Sequence, residues 1–175
     1  MRFVAIVATS AATIAVALGA ATAEAATPKP LGNGPITVTI EGRTELSAPP
    51  GKVIGTSTFT AKGTMRGKRR VLGTANGEAE GSATWPDGPC TINPQMTYEL
   101  SGDRQGTNLV LVIEPRARGI VGTGVQQCQS TMTAATAALL PTVTVPARNG
   151  ATATATGTAG GGNTRQTVTV TVKAK

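Results

Sequence analysis

From Ile36 onward the chain is written in a period of two. Short runs of Thr, Val and Ile, apolar at every second position, are broken by Gly, Pro, Asn and Asp. Alternation of this kind marks strands with one buried face, and the breakers are the residues that turns need. Strands are predicted near 36–46, 53–66, 70–85, 95–101, 107–115, 119–125, 129–137, 141–146, 150–159 and 165–173. No stretch after residue 25 holds a 3.6-residue period. Thr131 to Leu140 is the one helix-like run, because of its alanines, and a strand is favoured there.

The parity of the apolar positions constrains the pairing. In 53–66 the odd positions carry Ser57, Phe59, Ala61 and Met65, and in 70–85 they carry Ala75, Gly77, Ala79 and Trp85. The even positions from 58 to 66 and from 74 to 84 are polar, so odd residues are expected inward. Opposed residues in an antiparallel pair share a face, so their numbers must sum to an even value. A turn centred on Lys68 meets this condition and sets Phe59 opposite Gly77. At the C-terminal end Thr152, Thr154, Thr156 and Thr158 alternate with Ala, and Thr167, Thr169 and Thr171 alternate with Val. A four-residue loop at Gly160-Gly161-Gly162-Asn163 buries Ala and Val together and opposes Thr154 to Thr169. A third hairpin is expected from 95–100 through a loop at 101–106 into 107–114. Consecutive hairpins imply one all-β domain, an antiparallel meander closed as a barrel or folded as a sandwich.

The first 25 residues depart from this pattern. Met1-Arg2 is followed by an apolar run from Phe3 to Leu18 and by Ala23-Glu24-Ala25, the small-x-small pattern of a signal peptidase site. The expected organisation is a secretory signal at 1–25, a loose Pro- and Gly-rich lead-in at 26–35 and the β domain at 36–175. The expected location is extracellular, or held non-covalently in the cell envelope, with no membrane span after signal removal. In an exported chain two cysteines form one bridge, so a Cys90–Cys128 disulfide is expected.

Composition removes several kinds of chemistry. The chain has no histidine, so no His-based triad, Cys-His dyad or imidazole metal site can be built. No cofactor or metal is expected. Glu78 and Glu80, two apart on one strand face, have a spacing of about 6.6 Å that could serve glycoside hydrolysis. Their Thr and Asn neighbours and the opposite parity of Trp85 make them solvated surface charges instead. Glu41 and Glu45 read the same way. The expected protein is not an enzyme.

The formal net charge is +7. Lys62, Arg66, Lys68, Arg69 and Arg70 gather at a predicted hairpin tip, a contact for a polyanion such as a cell-wall polymer, an acidic glycan or a lipid headgroup. Nucleic acid is disfavoured because no aromatic residues interleave with these cations. Phe59, Met65 and Trp85 would line a small apolar-ligand cavity in a closed barrel. The loop Trp85-Pro86-Asp87-Gly88-Pro89-Cys90, stiffened by proline and the bridge, would suit a secreted inhibitor. The threonine grid invites comparison with an ice-binding face, although Thr is also a favoured outward strand residue. The leading expectation is a binding or interaction module acting at the envelope or on an extracellular partner, with a polyanion binder, an inhibitor or toxin-like protein and a small apolar-ligand carrier as alternatives. The oligomeric state is open.

Overall fold

The computed structural model describes residues 28–49 and 51–175. The expected signal peptide lies outside them. The meander is a nearly closed antiparallel barrel. Its strands are β1 (Ile36–Ala48), β2 (Lys52–Arg66), β3 (Arg70–Trp85), β4 (Gly88–Ile92), β5 (Gln95–Gln105), β6 (Asn108–Arg118), β7 (Gly122–Gly124), β8 (Val143–Pro146), β9 (Ala151–Ala159) and β10 (Thr164–Ala174). The ladder runs β8-β6-β5-β3-β2-β1-β10-β9; β4 branches from β3 at Gly81–Trp85, and β7 pairs with β4. The short β8 and β9 form the seam, adjacent but with no ladder between them.

The inward residues are those that alternation selects. Ile36, Val38 and Ile40 of β1, Val168, Val170 and Val172 of β10, and Leu109, Leu111 and Ile113 of β6 are all almost fully buried. The filled interior comes from these aliphatics, with Phe59 and Tyr98 as its only rings, 6.0 Å apart. A second, smaller cluster at one end joins Leu46, Ala83, Ile92 and Met132 to the cysteines.

That second cluster belongs to a helix. Residues 129–137, expected as a strand, instead form most of α1 (Gln126–Thr136), with Ala137 as its C-cap. Cys128, Met132, Thr133, Ala135 and Thr136 are its buried positions, and steps of four, one, two and one keep them on one side of the helix. The helix closes the end of the barrel where β1 ends and β2 begins. Cys90 and Cys128 form the expected disulfide, which ties the helix to β4. Its underside is polar. Thr136 shares a 2.7 Å hydrogen bond with Ser57, and the Gln166 amide donates to the carbonyls of Ala135 and Ala138.

Three pairings differ in detail from expectation. The β2–β3 turn is centred one residue later, so Phe59 opposes Ala79 and Ala61 opposes Gly77. The inward face is unchanged, because the two registers have the same parity. Phe59 instead covers the glycine on its other side. Gly42 of β1 is its direct partner, and a Cβ there would fall inside the ring. The β5–β6 ladder continues to Gln105↔Asn108, so the expected loop at 101–106 is mostly strand. Gly88 to Ile92, expected as loop and spacer, form β4. The C-terminal hairpin has the expected register, Thr154↔Thr169.

Candidate anion-binding end of the barrel

Antiparallel strands joined in sequence place every second turn at the same end of a barrel. The end opposite α1 therefore collects the β2–β3, β5–β6 and β8–β9 turns, the start of β1 and the end of β10. The registers fix this: Ile36 opposes both Met65 and Ala174, Arg70 opposes Asp103, and Asn108 opposes Pro146.

Cations accumulate there. The β2–β3 tip contributes Arg66, Lys68, Arg69 and Arg70, all exposed. Gly67 opens this three-residue turn at φ +138°, and a Cβ there would strike the Arg70 carbonyl, so the tip needs a glycine. The β8–β9 turn adds Arg148, the end of β10 adds Lys173 and Lys175, and the N-terminal segment adds Lys29; all four are exposed. Arg104, at the end of β5, is half-buried. Its guanidinium donates 3.0 Å and 2.9 Å hydrogen bonds to the carbonyls of Leu31 and Gly32.

Those bonds hold a strap across the barrel mouth. Within the expected lead-in, Leu31 is buried in the core, its N–H bonds the Ala147 carbonyl at 2.9 Å, and Pro30 bridges to Arg148. Two open grooves flank the strap. One, of about 540 Å³, is lined by Leu31, Arg104, Asn108, Pro146 and Arg148 among others. The other, of about 250 Å³, is lined by Lys29, Ile36, Asn149 and Lys175 among others.

The end thus carries nine cations and a single acidic side chain, Asp103. The rest of the described chain carries six cations and seven carboxylates. Among the described residues the ion pairs are Arg43–Glu45 at 3.3 Å and Arg116–Glu99 at 3.1 Å, both away from this end. The eight exposed rim cations make no ion pair among the described residues, whereas Arg104 is committed to the Leu31 and Gly32 carbonyls.

Of the five cations singled out from sequence, Arg66, Lys68, Arg69 and Arg70 sit together on this rim. Lys62 does not; it stands further along the wall, opposite Thr39 and Asn76. Lys29, Arg104, Arg148 and the Lys173–Lys175 pair lie in separate parts of the sequence, so no single run of cations marks them. Their common location was implicit in the alternating direction of the strands.

The other candidates fare differently. Phe59 and Met65 are packed into the main core, whereas Trp85, half-buried, rests against the second cluster near α1. The three do not line one cavity. The expected Trp85–Cys90 loop shrinks to a two-residue turn, Pro86-Asp87, because Trp85 already pairs with Gly88. That leaves little chain to insert into a target. Glu78 and Glu80 are exposed on the outer face, in an open groove of about 300 Å³ with Thr58, Thr60 and Asn93. The threonine grid is real. Thr152–Thr171 and Thr154–Thr169 hydroxyls meet at 2.9 Å and Thr156–Thr167 at 3.2 Å. Each pair uses one hydroxyl hydrogen internally, and the next strand interrupts the grid with Glu41 and Arg43 beside Thr169 and Thr167.

No family model matches this chain, and neither a curated protein nor a solved structure does.

Proposed function

We propose that the protein is an exported, non-enzymatic binding module whose working surface is the basic end of its barrel and whose partner is a polyanion. The observation that carries this reading is the segregation of nine basic side chains against one acidic side chain on a single rim. A field of one sign over one end raises the local concentration of an anionic partner and orients the encounter. Five of the nine are arginines, whose planar donors suit phosphate, sulfate and carboxylate groups. The Cys90–Cys128 bridge fits an oxidising compartment, as does the leader pattern at 1–25.

Binding to fluorescein-labelled heparin, followed by anisotropy across a salt series, tests the proposal. The affinity is expected to fall steeply as salt shortens the screening length. The variant Arg66→Gln, Lys68→Gln, Arg69→Gln, Arg70→Gln is expected to lose at least tenfold in affinity. All four side chains are exposed, so its unfolding curve is expected to match the parent. Binding that ignores both salt and these substitutions would refute the reading.

A further inference from the structure

We infer that the polyanion is a membrane surface, and that the protein docks end-on against anionic phospholipid headgroups. This rests on the polyanion reading above and narrows it.

The cations are not confined to one groove: Arg104 and Arg148 line one, Lys29 and Lys175 line the other, and the remaining five stand at the β2–β3 tip and the end of β10. They come from three turns and both ends of the described chain, so they surround the mouth of the barrel. A ring of charge on the end of a cylinder matches a plane. Beside Arg70, Leu72 is 54% exposed on the outer face, an apolar side chain placed to enter the headgroup boundary. Base stacking has no platform here: Phe59 and Tyr98 are buried in the core, and Trp85 is at the far end. The remaining surface carries a slight excess of carboxylates, so an anionic plane would turn the other faces away.

The direction of the chain agrees. The described chain enters at this same end, at Pro28, and the apolar run ends at Leu18. Ten residue steps reach at most about 35 Å. While the leader is attached to a bilayer, the basic end is therefore the end held near it. After cleavage the cations alone would keep the protein there. Each Lys or Arg at an anionic surface is worth roughly fivefold in partitioning, from about 1 kcal/mol apiece.

The single tryptophan makes the orientation measurable. Trp85 stands thirteen residues along β3 from Leu72, roughly 40 Å of strand. The experiment takes the protein as its host processes it and mixes it with vesicles of phosphatidylcholine alone or with phosphatidylglycerol. Sedimentation is expected to find it on the anionic vesicles only, with loss at high salt and at least tenfold weaker binding by the four-Gln tip variant. Brominated lipids are expected to leave Trp85 unquenched and to quench the Leu72→Trp reporter placed in a Trp85→Phe background. Heparin binding without vesicle binding would overturn the membrane assignment and leave the polyanion reading standing. Failure to bind either would end both. Equal binding to phosphatidylcholine, or quenching of Trp85, would overturn the end-on electrostatic docking.

Discussion

Tyr98 shows how a single residue reports on the interior. Its ring packs against Phe59, and its buried hydroxyl has no hydrogen-bond partner among the described residues. Burial pushes its phenol above the ordinary value of 10.0, because the phenolate would be stranded away from water. Above that pH the unfolded chain loses the proton and the folded chain keeps it, so stability falls as pH rises. For this residue the loss between pH 9 and 11 is on the order of 1 kcal/mol. Tyr98→Phe is expected to remove that alkaline term. It is also expected to be neutral, or more stable by about 1 kcal/mol, at pH 7, since it deletes a polar group that has no partner. Denaturant unfolding of both proteins at pH 7, 9 and 11 checks the two effects. A Tyr98→Phe variant that still shows the full alkaline loss would contradict the assignment.

At the scale of elements, legibility followed the number of independent constraints. The β9–β10 register could be read because parity and the length of the Gly-rich tip agree on Thr154↔Thr169. For β2–β3 parity alone is insufficient, since registers whose sums differ by two bury the same residues. The choice between them was made by the turn at Gly67 and by Phe59 preferring Gly42 on the next strand, a contact invisible until the sheet is ordered. The helix was missed because Ala and Thr carry little periodic contrast. Cys128, Met132 and Ala135 did hold the signal, but only the bridge partner and the barrel mouth give that face something to cover. The disulfide should matter accordingly. Replacing both cysteines with serine removes a closed loop with a sequence separation of 38, worth roughly 4 kcal/mol in the chain-entropy model. The expected result is a large drop in unfolding free energy with heparin affinity unchanged below the transition, because α1 closes the opposite end. Loss of binding in the folded variant would show that the two ends are coupled.

At the scale of the whole molecule, the fold turns scattered residues into a polarised object. The Lys62–Arg70 cluster was legible as a run, yet one member of it, Lys62, belongs to the wall, and five other cations join the rim from distant segments. No local pattern announces Arg104, Arg148 or Lys173. They converge because a meander returns to the same end with every second turn. Phe59 lies in the main core and Trp85 against the second cluster, so the two share no cavity, and the proposed working surface is the outer one. The measurement that bears most directly on this account is a titration of the isotope-labelled protein with heparin oligosaccharide, followed by backbone amide NMR. The expected perturbations cluster at Lys68–Arg70, Arg104, Arg148 and Lys173, with Trp85, the Glu78–Glu80 face and α1 unmoved. Shifts centred on α1 or the threonine grid, or no shifts at low salt, would contradict it.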